Sequence, residues 1–438
     1  MKKLLMFAMA ALFMGSCQNE EASSLDSSFS MKASDADYSG FPVTVQTVTG
    51  EITTNTTWTN DRVWEIDGVV RVKGGATLTI QAGTFIKAKP LPSGVAKGVL
   101  VITKTGKIDA QGTANAPIIF TSYNLLDGNV ASTATPSDFG GVVLLGDAIV
   151  NNGQVTNIAE GLGDQPNVSD FYYGGSNNAH NAGILNYIRI EYAGRILDFQ
   201  NGVDINSLTL AGVGNGTIID HIQASYSFDD SFEFFGGTVN ASHLVSFAPQ
   251  DDNFDFDLGY TGTITKAIAI ADSNSLHSFS GSFSNPDSNG IELDNNATGT
   301  LTSLITRPVI SQMSIIGVSS STLANLYESA IHVRRAGNIS LSDVTVTGYN
   351  TGIKWESPSL PANSSRSRIS IHGFDNVALP VGTSLAGIGS ATSTADPAPR
   401  WGITQPFFNN GVLDLTGITG AFRTEAFWTN TWTKFTNF

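Results

Sequence analysis

Carboxylate side chains recur at equivalent positions of short, similar segments in the middle of the chain. The two most similar segments, residues 229–234 (DDSFEF) and 251–256 (DDNFDF), are 22 residues apart, which is 251 minus 229. If they are strands on adjacent rungs of a sheet, equivalent carboxylates lie about 5 Å apart and repel by roughly 3 kcal/mol at an effective dielectric constant near 20. Such a series requires a bound cation, raised carboxylate pKa values or hydration.

The aligned positions form two neighbouring ladders that change from acidic to basic along the chain. One ladder contains Asp204, Glu233, Asp255, Glu292, His332 and Lys354, and the next contains Asn206, Phe235, Asp257, Asp294, Arg334 and Glu356. Because these residues alternate with apolar ones, we expect their side chains to face solvent. The pattern predicts a groove floor that is acidic in the middle and basic toward its C-terminal end, where Arg335 adds a further positive charge.

Three roles are compatible with this groove. A calcium-assisted lyase would use Asp255 and Asp257 as calcium ligands and Lys354 or Arg334 as the base, whereas a hydrolase would use two of the acids as a pair. The catalytic candidates are Lys354, Arg334, His332, Glu233 and Asp255. The second role is glycan or ion binding without catalysis, through Asp204, Glu233, Asp255, Asp257, Glu292 and Asp294. The third is that these are only solvated positions on a stable scaffold, because a fold does not determine a function.

Other polar and aromatic residues add weaker candidates. Two residues before the buried positions, a further ladder contains Asn201, Asp230, Asp252, Asn289, Ser329 and Thr351, and we expect it to satisfy backbone donors at a turn. Asp229, Asp230, Asp251 and Asp252 together could hold one Ca²⁺ ion. Phe279 and Phe283 are candidate sugar-stacking residues on a predicted loop. The six histidines are scattered without His-Glu-x-x-His spacing, so the sequence predicts no zinc site.

Two alternating families of short strands would position these side chains. The first family contains Ile188, Ile222, Leu244, Ala267, Met313 and Val344, and the second contains Val203, Phe232, Phe254, Ile291, Ile331 and Ile353. Spacings of 22 and 23 residues indicate a bare coil, and a spacing of 46 indicates a coil with loops inserted at about 272–288 and 294–308. One strand of each family per coil, without helices between them, is typical of a single parallel β-helix and not of a sandwich or propeller.

Composition and charge restrict the partners of this all-β chain. The 438 residues include 45 glycines, only 14% are charged, and the formal net charge is -15. A coiled coil or helical array would be richer in Ala, Glu, Lys, Leu and Arg. Nucleic acids and anionic membrane surfaces require a basic footprint that the chain lacks, so we expect no nucleic-acid partner and favour neutral ligands, cations or metal ions.

The N-terminal residues have the features of a lipoprotein export signal. Two lysines precede an apolar run over residues 4–14, and residues 14–17 (MGSC) resemble a bacterial lipobox that ends at Cys17, the only cysteine. The resemblance implies a signal peptide over residues 1–16 and lipid attachment to Cys17. Residues 17–42 are predicted to be a flexible tether, followed by a β-helix over residues 43–375 and an aromatic C-terminal capping segment over residues 376–438.

Several motifs resemble those of a large family of secreted or surface proteins in Bacteroidota-type bacteria. They are GGATLTIQAGT from Gly74, KIDAQGTANAPIIFTS from Lys107, YIRIEYAG from Tyr187 and DDSFEFFGGTVN from Asp229. The resemblance implies a right-handed parallel β-helix of the pectin-lyase-like type, but no particular activity. The acidic residues 18–21 (QNEE) resemble a signal for export to the outer face of the outer membrane. The predicted function is a lipid-anchored surface protein that binds carbohydrate, with a calcium-assisted polysaccharide lyase or glycosidase, or a structural role, as alternatives.

Overall fold

The computed structural model describes most of the chain after residue 37. The described residues are 38, 40–90, 98–198, 203–273, 286–356, 364–384, 388–393, 408–409, 412–413, 420–425 and 428–434. The predicted signal peptide, Cys17 and nearly all of the predicted tether lie outside them, as do Phe279 and Phe283. Among the described residues, no helix is long and apolar enough to cross a bilayer.

The secondary structure is almost entirely β. Short 3₁₀-helices occur at Tyr123–Leu126 and Val168–Phe171, and one α-helix, α1, spans Ser321–Ala324. The strands are β1 (Val45–Ile52), β2 (Thr56–Trp58), β3 (Val63–Val72), β4 (Thr77–Ile80), β5 (Phe85–Ala88), β6 (Val99–Ile102), β7 (Lys107–Gln111), β8 (Ile118–Thr121), β9 (Gly141–Leu145), β10 (Asn157–Ile158), β11 (Tyr172–Tyr173), β12 (Gly183–Glu191), β13 (Arg195–Asp198), β14 (Val203–Ile205), β15 (Leu208–Ala211), β16 (Ile218–Ser225), β17 (Phe232–Phe235), β18 (Asn240–Phe247), β19 (Phe254–Asp257), β20 (Thr263–Ile270), β21 (Asn289–Leu293), β22 (Val309–Ile316), β23 (Ser329–Val333), β24 (Ser340–Trp355), β25 (Ser365–Leu379), β26 (Ile388–Ser393), β27 (Phe408–Asn409) and β28 (Val412–Leu413).

Two series of parallel strands follow the two predicted families. Series A consists of β12, β16, β18, β20, β22, β24 and β25, each paired in parallel with the next. Its register places Ile188 opposite Ile222 and Leu244 opposite Ala267. Series B consists of β9, β15, β17, β19, β21, β23 and the C-terminal part of β24. The predicted parallel β-helix is therefore confirmed.

One predicted register in series B is wrong. Leu208, not Val203, lies opposite Phe232, because β15 pairs with β9 on one side and β17 on the other. Leu208 is fully buried in this position. Val203 instead belongs to β14, which forms a short antiparallel pair with β13. Because the β13–β14 hairpin is inserted first, the buried position of the series B strand lies five residues later in the chain than predicted, which is 208 minus 203. The sequence contains an apolar residue at both positions, so the apolar pattern alone does not distinguish them.

The core is a continuous column of side chains stacked along the rungs. Phe232 stacks on Phe254 at a ring-centroid distance of 5.0 Å, and Phe234 stacks on Phe256 at 4.9 Å. All four rings are completely buried. Each apolar side chain packs on its equivalents in the coils above and below. The polar side chains on all outer faces of these coils are therefore supported by the same core.

Candidate functional site

An acidic cavity of about 610 Å³ opens over the series B strands. Its wall contains nine carboxyl residues, two arginines and three other side chains: Glu160, Asp204, Asp229, Asp230, Glu233, Asp251, Asp255, Asp257, Asp294, Arg334, Arg335, Phe228, Phe235 and Gln250. The cavity brings together six of the acids that the sequence ladders predicted, with Asp229 and Asp251 of the predicted four-aspartate site, and joins them to residues from loops. We refer to it below as the acidic cavity.

The predicted acidic ladder is present on adjacent rungs of β17, β19 and β21. Glu233 lies opposite Asp255, and Asp255 lies opposite Glu292. The prediction that this ladder faces open solvent is wrong, because Glu233 and Glu292 are only 4% and 6% exposed. Neighbouring loops and side chains enclose these carboxylates, which lowers the local dielectric response and makes their mutual repulsion larger than on an open surface.

Asp204 lines the acidic cavity from a different strand than the sequence predicted. The residue opposite Glu233 on β15 is Thr209, since Leu208 pairs with Phe232. Asp204 lies on the short strand β14 and still lines the cavity. Asn206 precedes β15 and donates a hydrogen bond from Nδ2 to Glu233 Oε2. The first carboxylate of the predicted ladder is thus a residue of the cavity wall and not of the rung.

The turn ladder forms a continuous chain of side-chain to backbone hydrogen bonds. The backbone N–H of Asp230 donates to Asn206 Oδ1 at 3.0 Å, that of Asp252 to Asp230 Oδ1 at 2.8 Å, that of Asn289 to Asp252 Oδ1 at 2.5 Å, and that of Ser329 to Asn289 Oδ1 at 3.1 Å. Asn206 occupies the place predicted for Asn201, which lies outside the described residues. One oxygen each of Asp230 and Asp252 is therefore committed to holding the turns.

Glu160 is a cavity residue that no sequence pattern pointed to. It lies between β10 and β11, in an insertion without coil periodicity, and it lines the acidic cavity together with Glu233. Loss of hydration around its carboxyl, together with the nearby charge of Asp204, raises the pKa of Glu160 to about 7, although the residue as a whole is solvent-exposed. A carboxyl with a pKa near 7 is protonated in a large part of the molecules under neutral conditions.

The pKa values of three further cavity carboxyls, those of Asp257, Asp255 and Glu233, are also shifted toward the protonated form. Burial raises the pKa of Asp257 to about 7 against the opposing hydrogen bond from the Leu258 N–H. Burial and the charge of Asp294 raise the pKa of Asp255 well above its usual value, and burial with Glu160 does the same for Glu233. Asp255 Oδ1 is buried and accepts no hydrogen bond from the described residues. These carboxyls would gain from a cationic or hydrogen-bond-donating ligand.

The predicted basic end is split between paired residues inside and outside the cavity. Arg334 contacts Glu292 and lies 2.9 Å from Asp294 Oδ1, while Arg335 lies 2.6 Å from Asp294 Oδ2. His332 lies 3.0 Å from both Glu328 and Glu356, and Lys354 Nζ lies 2.6 Å from Glu328. Neither His332 nor Lys354 lines the acidic cavity. Every one of these basic side chains has a carboxylate partner.

The repeated coils agree with a comparison against known protein families. A family model for the pectate-lyase-like β-helix domain matches residues 50–432. The chain belongs to this family. The Dettilon tailspike protein is a similar solved structure, with 12% sequence identity and a TM-score of 0.28 over 75% of this chain and 62% of that one. The chain thus spans less than two thirds of the tailspike's length. No curated protein matches the chain.

Several carboxylate groups in this pectate-lyase-like domain are close enough to share a cation. The sets are Asp229, Asp230 and Asp251, then Asp230, Glu233 and Asp255, and then Asp252, Asp255 and Glu292, each with ligand oxygens within 4.8 Å of one another. Asp251 and Asp252 thus fall in different sets instead of forming the predicted four-aspartate site. All donors are oxygens, the ligand type that Ca²⁺ prefers. The cavity can therefore hold a cation, protons or a ligand rich in hydroxyl or ammonium groups.

Proposed function

We propose that the chain is a lipid-anchored surface protein of the outer membrane that binds a glycan in the acidic cavity. The observation that supports this is the composition of the cavity wall. Carboxyl groups that can accept hydrogen bonds from sugar hydroxyls lie beside Phe228 and Phe235. Phe235 also stacks with Tyr173 at 6.1 Å, which holds its ring in place. Apolar rings next to convergent polar groups are typical of ligand sites.

The charge of the cavity favours neutral or amino sugars over uronates. The nine carboxyl residues exceed the two arginines, and both arginines are paired with carboxylates. A uronate would add like charge to a buried acidic surface, which is unfavourable unless a cation bridges the two. A hydroxyl or ammonium group would instead donate to carboxylates that lack partners. Glycan binding without metal should therefore select against acidic polysaccharides.

Calcium-assisted lyase activity is the second candidate, and the clustered carboxylate oxygens favour it. A lyase also requires a base, but Lys354 lies outside the cavity wall and Arg334 is paired with two acids. Hydrolysis by two of the cavity acids is disfavoured, because glycosidase pairs are roughly 5 Å or more apart, whereas ligand oxygens of Asp230, Glu233 and Asp255 lie within 4.8 Å of one another. A structural or assembly role is the third candidate and predicts no glycan response.

A binding panel would separate these candidates. The full chain would be titrated with neutral, amino-sugar and polyuronate oligosaccharides, each in EDTA and in Ca²⁺, while product release is followed. We expect neutral or amino sugars to bind in EDTA, and Asp255→Asn and Glu233→Gln to weaken binding at least tenfold. Asp61→Asn, a change at an exposed carboxylate of the first coils, is the control. Uronate cleavage that requires Ca²⁺ would favour the lyase, and no binding by any sugar would reject glycan recognition.

The anchor has its own test. Cys17→Ala should move the protein from the detergent phase to the aqueous phase without altering the melting temperature, because the tether contributes little to the core. A variant that stays in the detergent phase would contradict lipid attachment at Cys17.

A further inference from the structure

Each series A strand contains one residue in the left-handed backbone conformation, at the same register on every coil. These residues, called the left-handed ladder here, are Tyr187, His221, His243, Lys266, Gln312, Asp343 and Arg368, with φ between 52° and 58°. The conformation is uncommon for residues other than glycine. Its repetition stacks these side chains above one another on the outside of the coils, on different strands from those that bear the acidic cavity.

Two histidines occupy adjacent rungs of the left-handed ladder. The rings of His221 and His243 are 4.1 Å apart with an interplanar angle of 12°, and Tyr187 stacks on the other side of His221 at 4.2 Å. Asp220 Oδ1 lies 2.7 Å from His243 Nδ1, and Asp220 Oδ2 lies 2.9 Å from His221 Nδ1. One carboxylate therefore faces two imidazole nitrogens.

The two contacts of Asp220 differ in kind. His243 Nδ1 makes a hydrogen bond to Asp220, whereas the contact of His221 Nδ1 lacks hydrogen-bond geometry, and this buried nitrogen has no hydrogen-bond partner among the described residues. A buried nitrogen facing a carboxylate oxygen without a hydrogen bond is an unfavourable arrangement. An ion bound between them would satisfy both atoms.

We infer that Asp220, His221 and His243 form a binding site for a divalent transition metal, with Zn²⁺ as the best match. One ligand atom from each residue lies within 4.8 Å of the others. Zinc-bound nitrogen and oxygen atoms are about 2.0–2.2 Å from the metal, so ligand atoms around one ion are about 3–3.5 Å apart. Binding of one ion would require the two imidazoles to rotate until the three donors reach that spacing.

The donor set selects against the cations expected in the acidic cavity. Two imidazoles and one carboxylate suit Zn²⁺, Cu²⁺ or Ni²⁺, whereas the all-oxygen sets of the cavity suit Ca²⁺. With three protein ligands, the proposed zinc site leaves its fourth position to water. The two locations can therefore be distinguished by metal preference as well as by mutation.

Residues from the C-terminal segment surround the proposed zinc site. Glu425 Oε2 lies 3.4 Å from His243 Nε2 and also pairs with Lys266. A carboxylate that accepts a hydrogen bond from the outer nitrogen of a metal-bound histidine orients the ring and strengthens the metal bond. Trp428 packs edge-on against His243 at 5.1 Å, and Trp432 against His221 at 5.5 Å. Metal binding would therefore hold residues 420–425 and 428–434 against the coils.

Equilibrium dialysis of the full, untagged chain against Zn²⁺ tests this site. We expect one Zn²⁺ per chain at neutral pH, and a Co²⁺ derivative with visible absorption that reports coordinating nitrogen. His221→Gln, His243→Gln and Asp220→Asn should each lower zinc affinity at least tenfold. Glu425→Gln should lower it severalfold without affecting folding, since the Glu425 side chain is 48% exposed.

Two controls distinguish this site from adventitious binding. His180→Gln removes a histidine that contacts the Lys104 carbonyl and not the ladder, and Asp255→Asn alters the acidic cavity. Both should leave zinc affinity unchanged. Zinc binding that survives the His221 and His243 substitutions, or that disappears with Asp255→Asn, would overturn the assignment. Absence of stoichiometric zinc binding would also overturn it and leave Asp220 as the centre of a histidine–carboxylate cluster only. Should either histidine variant fail to fold, the Glu425→Gln affinity decides.

Discussion

The acidic cavity and the left-handed ladder are two stacks of polar side chains on the same coils. Like charges repeat in the first stack, whereas opposite charges are paired in the second. At the cavity, Glu233 and Asp255 repeat one sign of charge on successive rungs, and the series continues to Glu292, which lies outside the cavity wall and contacts Arg334. On the left-handed ladder, carboxylates are matched with basic groups, as where Asp343 pairs with Arg368 and Arg423. Described residues of the C-terminal segment, among them Arg423 and Glu425, cover the matched stack, while the unmatched stack lines a cavity. Charge complementarity thus accompanies a packed surface, and its absence accompanies the cavity that we propose as a ligand site.

The pKa directions of the two stacks differ in the same way. Burial and like charges raise the pKa values of Glu233 and Asp255 in the cavity, whereas histidine and serine partners hold the pKa of Asp220 below its usual range although burial opposes them. Acids with raised pKa values destabilise the fold when they ionise, and acids with lowered values stabilise it when ionised. The two stacks should therefore respond to pH and to amide substitution with opposite sign.

The largest expected effect comes from the core that both stacks share. Phe254→Asp would leave an unpaired carboxylate and a void beside Phe232, so we expect a loss of about 5 kcal/mol in unfolding free energy. Ile218→Asp, at a half-exposed position of β16, is the matched control and should cost far less. Chemical denaturation measures both. A Phe254→Asp variant as stable as the wild type would contradict the inward assignment of the series B phenylalanines.

The next effect is a pH-dependent gain in the acidic cavity. The folded pKa of Glu160, about 7, exceeds the roughly 4.3 of an unfolded glutamate, so its ionisation penalty is absent below about pH 4 and grows until the pH passes 7. Because Glu160 is solvent-exposed, screening reduces this penalty to about half of the roughly 3.7 kcal/mol that the pKa difference alone implies. In metal-free buffer, Glu160→Gln should therefore raise the unfolding free energy by about 2 kcal/mol at pH 8 and by little at pH 4. An equal effect at both pH values would show that repulsion is not the cause.

The sequence predicted the repeating parts of the molecule better than the parts inserted between coils. The ladders through Ile188 and Phe232 were predictable because coil spacing preserves both register and side-chain type. Asp204 was misplaced because a hairpin precedes β15, and Glu160 had no periodic neighbour that would place it beside Glu233. The pairing of His221 with His243 was accessible in principle, since their separation of 22 residues equals the bare coil. A search for short catalytic motifs missed this histidine pair, because its two members are one solenoid coil apart and not a few residues apart.

On the left-handed ladder, which the C-terminal residues cover, we expect an amide substitution to have a smaller effect on stability, and of opposite sign. Asp220→Asn should lower the unfolding free energy by about 1.5 kcal/mol at pH 7 in EDTA, because it weakens contacts between a charged carboxylate and its partners. The folded pKa of Asp220 lies below its unfolded value, so this stability is present above about pH 4 and is lost as the pH falls through the folded pKa. Denaturation at pH 7 and pH 3 measures the difference. Stabilisation by Asn at pH 7 would remove the contrast between the two stacks.

The smallest effect is also the most informative about the acidic cavity. Asp255→Asn removes a charge that repels both Glu233 and Glu292, so in metal-free buffer we expect it to raise the unfolding free energy by about 1 kcal/mol. If a cation occupies the cavity, the wild type should gain stability with added Ca²⁺ by mass action, and the Asn variant should lose most of that gain. Thermal melts of both proteins, with and without Ca²⁺, measure the two effects together. Destabilisation by Asn without a Ca²⁺ response in either protein would mean that Asp255 serves the fold as a hydrogen-bond acceptor, and that the unmatched stack is not a ligand site.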